Sequence, residues 1–479
     1  MKKRNSLLIN TFYNAAYNGM NVLFPLITIP YLSRVLLADG IGKVNYATNI
    51  VSWFLMFASL GIPRYGVREV AKVRDSKGKL NHIFTELFLI NFCSTVFCSI
   101  VYIFIIFFYP YFEKKQLLYL MVGMQLFLNV FNVDWFYQGL EEYGYITKRS
   151  LIVKSLSIVA IFSFVHTKSD YIIYASIQSV ALAGNYIFNM SNIFKYVSFS
   201  VKGIHIYKHV LPIVVLLSTQ FAVNIYALLD TTMLGWWSSD NVIGYYSNSQ
   251  KIIKTIAVFT ASLGGVLLPH LVQYIRDSQY DKLREISNKI LGIILYICIP
   301  ITLGLFFLAD DLVLVLFGKD FIPAIETMRI FAPFIIFTTV GNLYGTQLLM
   351  SLGEEKKLLI SVVIGAVINF LLNYILIRLY YQNGAAFASV ITEFIVMILQ
   401  IKFVAPYMRL HIGSKTAKNI LIENITMCMA VILVKRIVSN SVAVLAFGTL
   451  FGTTIYVLVS AIRKDAIAED IIKRVSQSK

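Results

Sequence analysis

The sequence predicts an all-α protein that crosses a membrane about fourteen times, and three observations support that fold class. Of the 479 residues, 58% are hydrophobic and only 14% are charged, whereas about a quarter of the residues in a soluble protein are charged. The mean hydropathy is +0.71, so the apolar residues exceed what a core of this size can bury. These residues also fall in stretches of membrane length, with basic residues concentrated on alternate sides.

Each apolar stretch is close to the length that a helix needs to cross ~30 Å of hydrocarbon. The first stretch follows three basic residues, but it is too long for a signal peptide and lacks a small-residue cleavage site, so it is expected to be retained. In chain order, the predicted spans are 8–36, 44–62, 83–109, 117–140, 151–166, 171–194, 210–236, 242–275, 290–309, 328–350, 358–378, 384–406, 420–434 and 441–462.

The connections between the spans are short, and their charges predict an orientation. With the N-terminus in the cytoplasm, inner segments carry 28 of the 42 Lys and Arg residues, and the other 14 are divided between outer segments and spans. Because basic loops are retained on the cytoplasmic side, both termini are expected to be cytoplasmic in a multi-pass protein of the cell membrane. Residues 63–82 form the most basic inner connection, and residues 310–325 are expected to be an amphipathic or re-entrant segment on the outer face.

A weak internal repeat divides the chain into halves. The sequence ASLG at 58–61 recurs at 261–264, six predicted spans later. An even number of spans gives two parallel repeats, which is a transporter architecture with the binding site between the halves. We therefore expect an N-terminal lobe at 1–209, a C-terminal lobe at 210–406, and two additional helices with a cytoplasmic tail at 407–479.

Several function classes are excluded by what the sequence lacks. It contains no GxxxxGK[ST] phosphate-binding loop and no nucleic-acid-binding module, although the net charge is +17. The four cysteines form no CxxC pair and are expected to be small buried apolar residues. His205 and His209 are four residues apart, but their Lys-bearing connector favours a solvated loop over a metal site. We therefore expect no catalytic residue, no metal and no cofactor.

Ionisable residues inside predicted spans are candidates for function, because a bilayer makes them costly. Asp230 precedes the fourth outer turn and Lys251 and Lys254 follow it at similar depth, so a charged cluster between spans seven and eight is predicted. This cluster either fixes helix packing or contacts an ion or cargo. Glu393 lies near the middle of span twelve, where it is either a protonatable coupling group or a packing partner.

Three further charges lie near the ends of spans. Asp134 and Lys154 have matching depth at the inner ends of spans four and five, which predicts a structural ion pair. Arg34, near the outer end of span one, either lines a cavity or extends to the headgroups. One face of span one is polar, which suggests the lining of a hydrated cavity, and that face carries Asn10, Asn14, Asn18 and Asn21.

Five short segments, in their order and spacing, make the chain recognisable. The segments are PYLSRVL at 30–36, LGIPRYGVRE at 60–69, DWFYQGLE at 134–141, DTTMLG at 230–235 followed by GYYS at 244–247, and GAA at 384–386 continuing to Thr392 and Glu393. Together the chain resembles the Wzx-type polysaccharide repeat-unit flippases of the multidrug/oligosaccharidyl-lipid/polysaccharide exporter superfamily. The resemblance runs from span one to span twelve and so covers nearly the whole chain.

This resemblance implies a fold and a function. The fold is two six-helix lobes facing each other as a V, with two added C-terminal helices. The function is movement of an undecaprenyl-diphosphate-linked oligosaccharide from the inner to the outer leaflet of a bacterial cytoplasmic membrane, with a polymerase and chain-length proteins as pathway partners. Peptidoglycan-precursor flippases of this superfamily have further charges within the first helix, whereas residues 25–29 have none here, which argues against that cargo.

The chemistry of the cargo fits the charges of the chain. Lys and Arg can neutralise a diphosphate, and Arg64 and Arg68, at the cytoplasmic end of span two, are candidates to gather it at an inner mouth. Plain anchoring by positive charge is the other interpretation of these two residues. Two other functions stay open: a cation-coupled multidrug exporter, which needs an acidic cavity, and a membrane glycan polymerase, which needs longer outer loops. The pathway is also open among capsule, exopolysaccharide and O-antigen.

Overall fold

The parts of the chain that the structure describes are mostly helical. The computed structural model describes residues 2–200, 203–265, 268–277, 279–463, 465 and 467, which form helices and short turns with no strand among them. By internal packing the chain divides into two compact units, Met1–Gly235 and Trp236–Lys479. The all-α class predicted from the sequence is therefore confirmed.

The helices that begin in the first unit include long apolar helices and short pieces between them. They are α1 (Lys2–Ser59), α2 (Ile62–Val73), α3 (Lys77–Phe108), α4 (Gln116–Phe127), α5 (Asp134–Gly139), α6 (Tyr143–Phe164), α7 (Tyr171–Ile193) and α8 (Tyr207–Trp237). The last of these crosses the division between the units. The lobe boundary predicted at 209/210 stays a prediction.

Two predicted spans overlap α1 and are separated by a break at one residue. Leu37 has φ +57° and ψ −175°, a left-handed value that is costly for a residue with a Cβ. The sequence predicted a connection over 37–43, but Ala38 already begins the next helical segment. The Lys43 ammonium pairs with the Asp39 carboxylate one helical turn earlier. This contact favours helix over loop in those residues.

The second unit continues with helices of similar length. They are α9 (Asp240–Gly265), α10 (Leu268–Arg276), α11 (Tyr280–Leu316), α12 (Ala324–Phe331), α13 (Phe334–Asn342), α14 (Glu355–Val404), α15 (Ser414–Ile437) and α16 (Ser441–Ile462). A π-helical segment, Leu343–Leu349, follows α13. Like α1, α14 overlaps two predicted spans, which are separated by a break at Tyr381 with φ +49°.

The region 310–325 differs from its prediction. The separate segment expected there is not found, because α11 continues through Asp310 and Asp311 to Leu316 and a short turn leads into α12. The two carboxylates are neutralised within the unit: Lys435 Nζ lies 3.1 Å from Asp310 Oδ2 and 3.2 Å from Asp311 Oδ2. Arg329 also pairs with Asp310. Paired charges can remain on a helix without a break.

The surface of these helices is apolar, as a membrane requires. Phe108 is 72% exposed and Ile462 is 79% exposed, so apolar side chains face outward where water would not stabilise them. Among the described residues, six helical segments are long and apolar enough to cross a bilayer, by length and composition. The protein is therefore a multi-pass membrane protein. Each of the fourteen predicted spans overlaps a helix of the structure, while the number of crossings stays a prediction.

Candidate functional site

The most basic connection predicted from the sequence contains α2, a short amphipathic helix. Its apolar face is buried and includes Ile62, Tyr65 and Val70, and this face packs against α3 and α5. Arg64 and Arg68 lie on the opposite face and are exposed. A helix with one buried apolar face and one basic face can present guanidinium groups to an anionic membrane surface.

Two glycines bring α2 close to α5. A Cβ on Gly66 would lie 2.4 Å from Trp135 Cε3, and a Cβ on Gly139 would lie 2.7 Å from Val70 Cβ. Neither position has room for a larger residue without movement of its neighbours. The two helices therefore pack closely, and α2 is held at a fixed distance from the core around Trp135.

The basic residues of α2 differ in how far their charge is already compensated. Arg68 Nε lies 3.1 Å from Glu69 Oε1, and Lys72 Nζ lies 2.8 Å from the same oxygen. The Arg68 guanidinium also lies over the Tyr65 ring, 5.2 Å from its centroid. Arg64 has no hydrogen-bond or ion-pair partner among the described residues. Its guanidinium is therefore available to bind an anion.

Beneath the basic face, α2 is fixed by a buried polar network. Glu86 in α3 is fully buried. Its carboxylate accepts hydrogen bonds from the His205 backbone N–H at 2.8 Å and from Lys208 Nζ at 3.0 Å. His209 Nε2 donates to the same carboxylate at 2.8 Å, and the Tyr65 hydroxyl is hydrogen-bonded to His209 Nδ1 at 2.8 Å. The network links α2, α3 and the start of α8.

This network corrects the prediction for the two histidines. The connector was expected to be a solvated loop, but His209 is only 1% exposed. Burial is possible because the ring nitrogens each have a partner. An ionised Glu86 carboxylate has no proton to donate, so the proton between the two groups lies on His209 Nε2. Glu86 was missed at the sequence level, although it lies inside the predicted third span and the cost of a charge in a span would have identified it.

Asp134 forms an ion pair as predicted, but its partner is Arg149 and not Lys154. Asp134 Oδ1 accepts a hydrogen bond from Arg149 Nη2 at 3.0 Å, and Asn189 Nδ2 donates to the same oxygen at 2.5 Å. Arg149 is buried and is also bonded to Asn185. Depth in the membrane explains why Asp134 pairs with Arg149. Asp134 lies at the start of the six-residue helix α5, and Arg149 lies about the same number of residues after the turn that follows α5. Lys154 is five residues further along α6, or about 7.5 Å deeper.

The structure describes the side chain of only one of the three candidate residues in the first predicted span, Arg34. The side chains of Asn14 and Asn18 lie outside the described part of the structure. Arg34 is exposed, and its Nη1 donates to the Pro30 carbonyl at 3.1 Å. Lys154 lies over the Phe24 ring, 5.9 Å from its centroid. Both basic groups also have further contacts within the protein, so neither is an isolated charge.

The remaining candidates belong to different compact units. Asp230, in α8, is 1% exposed and lies in the first unit. Lys251 and Lys254, half-buried on α9, and Glu393, buried in α14, lie in the second. None of these four residues is without a partner in the structure. Their assembly into one cargo site stays a prediction.

Comparisons with known proteins agree on one kind of protein. A family model described as polysaccharide biosynthesis protein matches residues 7–275, and a model described as lipid II flippase MurJ matches residues 202–458. A relative from Escherichia coli strain K12, named O-antigen transporter, is 25% identical over 426 residues, which cover 83% of this chain and 97% of the relative.

Two solved structures share the fold. One, titled lipid II flippase MurJ in an inward closed conformation, has a TM-score of 0.75 and 15% sequence identity, and the match covers 96% of this chain and 100% of that chain. The other, an inward-facing multidrug resistance transporter of the MATE family, has a TM-score of 0.56 and 16% identity over 80% of this chain and 97% of that chain. At these identities the likeness establishes the fold alone.

Proposed function

The chain belongs to the polysaccharide biosynthesis protein family, with a second half that also matches the lipid II flippase family, and we propose that its cargo is an undecaprenyl-diphosphate-linked oligosaccharide. The chain is a flippase for lipid-linked oligosaccharide and a transporter rather than an enzyme. The Wzx-type resemblance seen in the sequence is thereby confirmed. We propose that movement is from the inner to the outer leaflet of a bacterial cytoplasmic membrane, with both chain termini in the cytoplasm.

The observation that best supports the cargo is the exposed basic face of α2. Arg64 has no partner among the described residues, and Arg68 is compensated only by Glu69 at the surface. Guanidinium groups bind diphosphate oxygens by paired, charge-assisted hydrogen bonds. We assign these two arginines to the inner mouth, where they gather the diphosphate while the prenyl chain remains in lipid.

Beyond the inner mouth, the proposed path uses the charged and polar side chains of the spans. Polar groups replace the hydration of the sugars, and basic groups compensate the diphosphate as the two lobes open alternately to each side. The residues assigned to this hydrated cavity are Arg34, Asp230, Lys251, Lys254, Glu393, Asn14 and Asn18. A polymerase and chain-length proteins then receive the glycan on the outer face.

A cell that depends on this protein for its surface glycan tests the proposal. Depletion should reduce surface glycan and leave the prenyl-linked oligosaccharide on the cytoplasmic leaflet, since synthesis continues while transport stops. Expression of the wild-type chain should restore export, and the double variant Arg64→Ala/Arg68→Ala should fail to restore it at equal membrane abundance. Normal surface glycan in depleted cells that have no second transporter would contradict the proposed cargo.

Lipid II is the second candidate cargo, and the match of residues 202–458 to the lipid II flippase family favours it. The uncharged segment at 25–29 argues against it. The same depleted cells separate the two cargoes. Loss of surface glycan with continued growth supports the oligosaccharide, whereas lysis with normal surface glycan supports lipid II.

A further inference from the structure

The second unit contains a buried carboxyl group that the proposed cargo path does not use. Glu423 in α15 has no exposed surface. It lies on the same helical face as Ile420 and Met427, which are part of an apolar cluster with Tyr296 and Tyr456. Neither carboxyl oxygen of Glu423 accepts a hydrogen bond from the described residues. An ionised carboxylate in this environment would be an uncompensated buried charge, which costs several kcal/mol.

The two tyrosine hydroxyl groups beside Glu423 already donate to other acceptors, which leaves the Ser460 hydroxyl as the neutral donor beside it. The Tyr456 hydroxyl donates to the Tyr296 carbonyl oxygen at 2.7 Å. That carbonyl lacks its helical donor, because the residue four positions later is Pro300, which has no N–H. The Tyr296 hydroxyl in turn donates to Ser460 Oγ at 3.1 Å. The Tyr456 hydroxyl has no hydrogen left for Glu423, so its oxygen can only accept a hydrogen bond from that residue. Only the protonated form of Glu423 can donate one.

A second buried acidic residue, Asp465, lies beside Glu423 and has the hydrogen-bond donors that Glu423 lacks. Asp465 is 1% exposed. Its Oδ2 accepts from Asn419 Nδ2 at 3.1 Å, and its Oδ1 accepts from the Ile467 backbone N–H at 2.8 Å. Arg463 Nε donates to Asn419 Oδ1 at 3.0 Å, which points the amide N–H toward Asp465. Both oxygens of Asp465 therefore have a donor, whereas a second negative charge at Glu423, beside this carboxylate, is disfavoured.

We propose that Glu423 is a proton-binding site, loaded while α11, α15 and α16 pack as they do here and unloaded when these helices separate. The titratable and charged groups that face it are Tyr296 from α11, Tyr456 from α16, and Arg463 and Asp465 beyond α16. A proton needs one acceptor, which Tyr456 supplies, whereas a metal cation needs several oxygen ligands. The described residues contain no cluster of three His, Cys, Asp or Glu for such an ion.

The site would connect transport to a proton gradient. The chain has no nucleotide-binding loop to supply energy, so the direction of transport must come from an ion gradient or from removal of the product. A carboxyl that gains and loses a proton as its helices rearrange meets the first requirement. This coupling rests on the proposed flippase function, while the proton site itself does not.

Infrared difference spectroscopy of the full chain in lipid vesicles tests the site directly. The wild type should show the carbonyl stretch of a protonated carboxyl at neutral pH, and Glu423→Gln should lack that band. Glu285→Gln, which removes an exposed carboxylate from α11, is the matched control and should keep it. Glu423→Asp distinguishes loss of the carboxyl group from a folding defect. Its shorter protonated carboxyl should shift the band rather than remove it. An identical band in wild type and Glu423→Gln would overturn the proposal, as would loss of the wild-type band on addition of sodium.

Transport in the same vesicles tests the coupling. Flipping of a labelled prenyl-diphosphate oligosaccharide by the wild type should change several-fold when the direction of the pH gradient is reversed. Glu423→Gln mimics the loaded site and should flip at one rate in both gradients. Equal gradient dependence in wild type and variant would overturn the coupling. A carboxyl band that depends on Glu423, together with no flipping by any variant, would leave the proton site in place and contradict the proposed function instead.

Discussion

Arg64 is the residue on which the proposed inner-mouth role depends most directly. Its guanidinium has no partner among the described residues, so its loss removes an anion contact without breaking an internal one. Arg64→Lys keeps the charge but loses the paired hydrogen bonds to a diphosphate. We expect flipping of the prenyl-diphosphate oligosaccharide to fall about tenfold, which corresponds to ~1.4 kcal/mol, with unchanged membrane abundance.

Arg74→Lys provides the control for that substitution. Arg74 lies just beyond α2, and its guanidinium is bound 2.7 Å from Glu141. The same change at this position should leave the flipping rate within about twofold, because an exposed ion pair contributes little. Equal rates for the two variants would mean that Arg64 only anchors the chain.

At the scale of single residues, the sequence predicted where charges lie in depth but not which groups meet. The depth of Asp134 was enough to predict an ion pair, yet its partner is Arg149 rather than Lys154. The choice depends on the six-residue length of α5 and the tight turn after it, which hydrophobic periodicity does not specify. The Glu86–His209 contact joins residues 123 positions apart, so no local pattern predicts it.

At the scale of elements, α2 is held in place by the network of Glu86, His209 and Tyr65. Glu86→Gln keeps the shape of the side chain but removes the charge that Lys208 and His209 face. We expect the free energy of unfolding to fall by about 1–3 kcal/mol. Relative to the wild type, backbone hydrogen exchange should increase in α2 more than in α16. Exchange measured by mass spectrometry on the purified chain checks this.

Glu113→Gln is the matched control, because it removes an exposed carboxylate of the same unit. It should leave the exchange of α2 unchanged. If Glu86→Gln likewise left α2 as protected as in the wild type, the network would have no part in holding that helix.

The helices themselves were largely predictable, and their breaks were not. Every predicted apolar stretch overlaps a helix, because membrane-length apolar runs leave few other ways to satisfy the backbone. The break at Leu37 is confined to one residue, and α11 extends past Asp310. An ion pair lies beside each feature, Asp39 with Lys43 after the break and Asp310 with Lys435 on α11, and the charge pattern did not reveal either pair.

At the scale of the whole molecule, the charges of α8 and α9 remain the main untested part of the cargo path. Asp230 is seven residues from the end of α8, and Lys251 is eleven residues after the start of α9. The double variant Asp230→Lys/Lys251→Asp separates a packing pair from a cargo contact. If Lys251 contacts the diphosphate, we expect the double variant to insert normally but to lose export, since an aspartate there repels the cargo. Measurement of membrane abundance and surface glycan beside each single variant checks this, and normal export would leave only a packing pair.

Composition and the spacing of short segments were enough to predict the fold class and the family. They predicted the residues of the cargo site only in part. Fifty-eight per cent hydrophobic residues require a bilayer, and the order of five short segments indicated the family that the comparisons then showed. The cavity residues are not settled in the same way, because Asp230 and Lys251 belong to separate compact units and the polar face of the first span lies at residues whose side chains are outside the described part.

Transport by the purified chain alone tests the proposed flippase function most directly. The protein is reconstituted in vesicles that carry a fluorescent prenyl-diphosphate oligosaccharide, and a membrane-impermeant quencher reports how much cargo reaches the outer surface. We expect the wild type to expose cargo from both leaflets within the assay and Arg64→Ala/Arg68→Ala to be at least tenfold slower. A cationic drug should not be moved. Quenching limited to the outer leaflet with the wild type, at full incorporation, would contradict the proposed function.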